Sequence, residues 1–217
     1  MGVVFAGGIV ILLFSVIIHE VMHGLTALYF GDHTAERAGR LTLNPIPHID
    51  PIGTILVPAL FILPSLLGGG PPGFIIGWAK PVPVNPLNFR DIRRGELVVS
   101  AAGVLSNLTI AIFTALIFHL TGNLLSPLLL VLLIFTININ LILAIFNSLP
   151  IPPLDGSKIV MSFLPTNLLA AYQSLEKYGL LILLFLLFVP FGHTTFLGLI
   201  MSFFLNIFHS LLGIPTF

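Results

Sequence analysis

Residues 3–30, VVFAGGIVILLFSVIIHEVMHGLTALYF, decide the fold. A helix needs about 20 mostly apolar residues to cross a bilayer, and this run exceeds that while carrying His19, Glu20 and His23 in its second half. On a helix the two histidines, four positions apart, leave the same face. H-E-x-x-H is the spacing with which two imidazoles hold one zinc ion, and Glu20, about 100° round the helix, can reach the zinc-bound water as a general base. The competing account is two hydrogen-bonded core histidines beside a stray glutamate. Each ionisable group costs on the order of 2.5–3.5 kcal/mol to insert at a span centre, so chance placement is disfavoured. Ser15, His19, His23 and Thr26 form one polar stripe, expected to face protein rather than lipid.

Composition fits a membrane chain. Of 217 residues, 57% are hydrophobic and 7% charged, with zero formal net charge and a mean hydropathy of +1.12. A soluble domain carries about 25% charged residues. A nucleic-acid binder would need a basic patch and a disordered tail far less apolar matter, so both are excluded along with an ordinary soluble enzyme. There is no cysteine, which excludes disulfide, iron–sulfur and thiol chemistry. The N-terminus lacks a basic n-region and is read as a retained first span. No polar stretch is long enough for an appended soluble domain and no fixed-period repeat occurs, so residues 1–217 read as a single membrane-embedded domain.

Outward from the first span, core helices are expected at about 97–120 and 126–147. The long run 179–213 is interrupted by Pro190, Gly192 and His193, and with the amphipathic lead-in 167–178 it predicts a C-terminal helical hairpin over about 168–213. Residues 52–78 are apolar but broken by prolines and glycines, which suits a re-entrant or hairpin segment lining protein or a cavity. The fold class is therefore all-α and polytopic, with about five to six transmembrane helices. Arg37, Arg40, Lys80, Arg90, Arg93, Arg94 and Lys158 fall on one side if 52–78 makes an even number of crossings. The positive-inside rule calls that side cytoplasmic. The N-terminus is then outside, and 3–30 runs parallel to 126–147.

Catalytic zinc wants three protein ligands and an open position. Soluble zincins of one class place a third histidine six residues past the second, but that position is Tyr29. His33 and Glu36 have no recognised spacing, and His48 with Asp50 reads more as loop structure. Asp155 lies in Asn147-Ser-Leu-Pro-Ile-Pro-Pro-Leu-Asp155-Gly156, where three prolines break the preceding helix. It could cap the next helix or point into the bundle. Parallel orientation of 3–30 and 126–147 puts Asp155 at the depth of His19 and His23, which favours a ligand. Thr136, Asn140, Ala144 and Asn147 share one helix face, as do Ser100, Gly103, Asn107, Ala111 and Thr114. Such stripes glue membrane helices; Asn147 alone is singled out, as an amide that can donate to a developing oxyanion.

Together these segments resemble the site-2 protease family of intramembrane zinc metalloproteases (peptidase family M50), in a compact form without PDZ or CBS domain. His19-Glu-Val-Met-His23 is similar to the family's metal-binding helix, and Asn147 through Gly156 to its N-x-x-P…L-D-G segment. Ala102-Gly103 with Asn107 is similar to the A-G-P-x-x-N helix, with Val104 where proline is expected. Gly77-Trp-Ala-Lys-Pro-Val-Pro-Val-Asn-Pro86 resembles a segment of compact bacterial and archaeal members, and the match spans about residues 15–160.

The resemblance implies hydrolysis of peptide bonds in or near transmembrane segments of membrane-protein substrates, as in regulated intramembrane proteolysis. One zinc per chain would be held by His19, His23 and Asp155, with Glu20 as base and then acid, and Asn147 polarising the scissile carbonyl. The partners would be a transmembrane protein or peptide and the lipid bilayer, with no nucleic acid. The place would be the cell membrane, with the active site toward the cytoplasm. Because a transmembrane helix hides its peptide bonds, substrate must unwind, and Trp78–Val84 is a candidate β-like edge segment for it to pair with; a plain proline-rich loop is the rival reading. Two other functions remain as alternatives: a zinc protease with a glutamate third ligand, for which only Glu96 and Glu176 follow, and a metal-ion transporter, which would need a continuous polar path or a repeat. His119, His193 and His209 are expected at membrane interfaces, and Arg90, Arg93 and Arg94 at an anionic leaflet.

Overall fold

The computed structural model describes residues 2–66 and 77–215. The first span is α1 (Gly2–Tyr29), followed by the short α2 (Thr34–Arg37), a wide turn over Pro51–Leu56 and α3 (Val57–Leu66). Then come the long helices α4 (Ile92–Thr121) and α5 (Pro127–Asn147). Among the described residues, four helical stretches are long and apolar enough to cross a membrane: α1, α4, α5 and the Thr166–Phe188 run. Helix α4 begins five residues before its apolar part, because the Asp91 carboxylate accepts the Arg94 N–H at 3.0 Å and caps its first turn. Ser126 and Pro127 start α5 in the same economical way, a capping hydroxyl followed by proline at the first helical position.

Three helices enclose the buried polar centre. Gly7 and Gly8 of α1 lie against Leu132 and Phe135 of α5, so close that a Cβ at Gly7 would stand 2.8 Å from Leu132. Further along, Ser15 meets Asn140. Contacts that advance together along both helices mean that α1 and α5 run parallel. Helix α4 packs between them in the opposite sense, since Asn107 lies at the level of Ser15 and Val99 at the level of His23.

After α5 the chain folds back as α6 (Asp155–Phe163), α7 (Thr166–Gln173) and α8 (Gly179–Phe188). A two-residue antiparallel pair, β1 (Pro190–Phe191) with β2 (Thr194–Thr195), makes the expected break and leads into α9 (Phe196–Leu212). Leu197 at the start of α9 packs with Leu149 and Leu154. Ile214, just past its end, packs on Ala111 and Ala115. Helix α9 therefore returns antiparallel to α5. Helix α8 stays with the Leu149–Leu154 cluster through Leu183, Leu186 and Leu187.

Most of the expected 52–78 segment is helical up to Leu66; its residues 67–76 lie outside the described residues. The Trp78 N–H nevertheless returns to the Gly53 carbonyl at 3.0 Å. That brings the two ends of the segment side by side, as an even number of crossings requires. Residues 77–85 pair with no strand among the described residues.

Two buried residues lock this segment to the bundle, and sequence patterning singled out neither for that part. The Arg40 guanidinium donates to the carbonyls of Lys80 (2.6 Å) and Pro81 (3.3 Å). Asp32, fully buried, accepts from the Asn85 N–H, the Asn88 amide and both the N–H and hydroxyl of Thr34. Burial pushes the Asp32 carboxyl up, but these donors outweigh it and hold it below the usual carboxylate range. Its stabilising effect is thus fully present above pH about 4 and is lost as pH falls through the lowered folded-state value. Asp32→Ala strands several donors at roughly 1–3 kcal/mol each. Thermal unfolding in detergent should show a loss of about 3 kcal/mol; an unchanged midpoint would remove Asp32 from this role.

Candidate metal centre

His19 and His23 project from α1 toward α4 and are 6% and 9% exposed. Space for two rings there comes from Gly103: a Cβ on it would lie 2.5 Å from the His23 ring and 2.7 Å from that of His19. The Nδ1 of each ring is committed. That of His23 meets the Val99 carbonyl at 2.7 Å, and that of His19 meets the Asn107 Oδ1, also at 2.7 Å. A carbonyl oxygen only accepts, so the Nδ1 carries the proton and the Nε2 presents a lone pair.

The third group arrives from α6. Gly156 fits only without a side chain, since a Cβ would stand 2.2 Å from the Ser148 carbonyl. This lets the chain turn tightly off the end of α5. At the other end of α6 the Arg93 guanidinium donates to the carbonyls of Ser162 and Leu164, tying α6 to α4. Asp155 is the first residue of α6 and does not cap it. Its carboxylate turns instead to the imidazoles, with Oδ2 3.1 Å from His19 Nε2 and 3.2 Å from His23 Nε2. The two Nε2 atoms are 3.0 Å apart.

Three atoms with lone pairs thus face one another, and Asp155 Oδ2 is buried without a hydrogen-bond donor. Such a cluster is unfavourable unless a cation or proton sits among them. The donor set fits zinc: two imidazoles and a carboxylate are a usual catalytic trio, and tetrahedral bonds of about 2.0 Å place ligand atoms about 3.3 Å apart. Among the described residues, this is the one group of three or more such side chains able to share an ion.

A cavity of about 290 Å³ adjoins the trio, with Glu20, Val82 and Asn147 on its walls. One Glu20 oxygen accepts the Val82 N–H at 2.7 Å. The Asn147 amide donates to Leu143 C=O at 2.9 Å, which occupies one of its two N–H groups. The other residues weighed as ligands lie elsewhere. His33 pairs with Glu36 on the surface at 2.7 Å, His48 is buried against the Thr42 carbonyl, and Asp50 caps the turn at Ile52 and Gly53. Glu96 reaches the cavity wall without joining the trio, and Glu176 is exposed. His209 is a correction: it is 5% exposed and meets Asn138 inside the bundle at 2.8 Å, because α9 packs along α5 instead of ending at an interface.

Sequence reasoning did not find the Val99 carbonyl, the Val82 N–H or the room made by Gly103. The first and last had a signal: Val99, Gly103 and Asn107 recur every four residues on the α4 face opposite the histidines.

Residues 119–190 match the model of peptidase family M50. The chain is 39% identical over 191 residues to "Putative zinc metalloprotease YwhC" of Bacillus subtilis, covering 85% of this chain and 81% of that protein. It is 31% identical over 195 residues to "Putative zinc metalloprotease Rip2" of Mycolicibacterium smegmatis, covering 88% and 70%. The protein of the same name from Mycobacterium tuberculosis is 32% identical over 191 residues, covering 87% and 69%. No solved structure matches the chain.

Proposed function

Because the chain belongs to peptidase family M50 and is a membrane zinc metalloprotease, we propose that it cleaves transmembrane segments of membrane proteins within or beside the bilayer. This is the chemistry of regulated intramembrane proteolysis. One zinc per chain is held by His19, His23 and Asp155. The observation that carries the reading is the convergence of three lone-pair atoms in an apolar bundle, with both Nδ1 protons already spent. Zinc bound there supplies Lewis acidity, bringing a water's pKa to about 7 and polarising a carbonyl.

The protein's own groups do the rest. Glu20 takes the proton of the attacking water and returns it to the leaving amine; its hydrogen bond from Val82 fixes one oxygen and leaves the other for this work. Asn147, on the cavity wall with one N–H unspent, donates to the carbonyl oxygen as charge develops. Val82 and Val84 also line the cavity, and neither the Val82 carbonyl nor the Val84 N–H is engaged by any described residue. These groups suit main-chain pairing with an unwound substrate segment, while Pro81 and Pro83 lack the N–H for further pairing. The basic residues on the loops beside the site orient it to the cytoplasm.

The test is cleavage of a synthetic transmembrane peptide by the purified protein in liposomes. About one zinc per chain, loss of cleavage on stripping with a chelator, recovery on adding zinc and a cut inside the apolar segment are the expected results. Cleavage indifferent to stripping, a soluble peptide cut equally well, or zinc flux without proteolysis would each overturn the reading.

A further inference from the structure

An imidazole that binds metal through Nε2 must keep its proton on Nδ1. For His23 the Val99 carbonyl guarantees this, since a backbone carbonyl can only accept. His19 has no such guarantee. Its Nδ1 faces an asparagine, and an asparagine can present either an oxygen or an NH2 group. Something must fix the Asn107 amide, or half of the orientations would put a donor against His19 and move its proton to the metal-facing nitrogen.

The answer lies two helices away. The Asn140 Nδ2 is 2.9 Å from the Thr136 carbonyl and 2.9 Å from the Ser15 hydroxyl oxygen. Because the Thr136 carbonyl accepts only, that atom of Asn140 is the donor and its Oδ1 is the acceptor. The Oδ1 receives the Asn107 Nδ2–H at 2.8 Å, and Asn107 Nδ2 also reaches the Ser15 carbonyl at 3.3 Å. With its NH2 group spent on two acceptors, Asn107 must turn its oxygen to His19. Ser15, Asn107 and Asn140 are 4%, 0% and 0% exposed, so water does not scramble the order.

We infer that Asn107 and Asn140 are positioning residues that carry the polarity of the Thr136 carbonyl across α5 and α4 to the Nδ1 of His19, holding its Nε2 as a metal ligand. Polar glue between helices would explain buried asparagines, but it does not require a one-way chain ending on a ligand. This inference rests on the zinc site proposed above. The hydrogen bonds of Asn140 go to Asn107, Ser15 and Thr136 and it does not line the cavity, so its effect on the metal travels through Asn107.

The experiment is zinc affinity of the full-length protein in detergent by competition with a chromogenic chelator, with thermal unfolding of the metal-free form alongside. Outer partners of metal-bound histidines typically matter 10–100-fold. Asn140→Ala should weaken zinc about that much, Asn107→Ala similarly, and the double variant no more than the worse single one, because both cut one chain. Asn140→Leu, closer in volume, should repeat the loss if the alanine variant folds poorly. Asn138→Ala, which removes the bond to His209 on the same helix, should leave affinity unchanged whatever it does to unfolding.

Wild-type affinity in Asn140→Leu, or losses that add in the double variant, would overturn the relay. Asp155→Ala belongs in the same titration. If it loses zinc while the Asn140 variants do not, the relay alone falls. If it too keeps zinc, the metal site itself is wrong.

Discussion

Glu20→Gln should lower the turnover of a transmembrane peptide about 10³-fold while zinc content stays at the wild-type level, within the 10²–10⁴ range of a lost general acid–base. The substitution is nearly isosteric, and the glutamine oxygen can still accept the Val82 N–H that the carboxylate now takes at 2.7 Å. The segment beside the cavity therefore stays in place, and substrate binding should change little. What disappears is the ability to hold a proton between the attack of water and the departure of the amine. The loss should appear in kcat rather than KM, the mark of an interaction made only in the transition state. A metal-ion transporter with the same ligands would have no need of that proton carrier. Initial rates in liposomes with metal analysis on the same preparation decide it: cleavage within tenfold of wild type would remove Glu20 from the mechanism.

The chain wrote its architecture in apolar runs, and those are local signals. Helices α1, α4 and α5 lie within a few residues of where hydropathy places them. The main shift, α4 starting at Ile92, comes from a capping aspartate that hydropathy does not weigh. H-E-x-x-H is equally local, since helical geometry alone puts two imidazoles on one face. Asp155 needed more than local pattern: counting basic loops gave the helix directions, these brought the end of α5 to the depth of His19, and the L-D-G resemblance pointed to the same residue. Other features had no local signature. The donors around Asp32 come from Asn85 and Asn88, more than fifty residues on. The partner of Glu20 is a backbone N–H, which no residue type advertises. Asn107 and Asn140 stood out as packing residues, but the direction of their amides depends on a carbonyl in a third place. His209 misled because a histidine near a span end reads alike whether lipid or another helix covers it.

Asp155→Ala should lower zinc affinity by more than the roughly 100-fold that loss of an outer partner costs, and zinc should no longer copurify at about one per chain. Two ligands remain on one helix, but catalytic zinc sites are built on three protein ligands. Among the described residues no other His, Asp or Glu joins His19 and His23 in a cluster. The variant is also informative about folding. Removing the carboxylate takes one of the three lone-pair atoms spaced at 3.0–3.2 Å out of the cluster, and the metal-free variant should still unfold in one cooperative transition. Helix α6 itself is held by Arg93 at its far end and by the tight fit of Gly156, neither of which involves Asp155. Zinc loss with an intact fold would thus mark the carboxylate as a ligand rather than a packing element. Zinc retained at one per chain would instead take Asp155 out of the ligand set, although the parallel packing of α1 and α5 rests on contacts of its own.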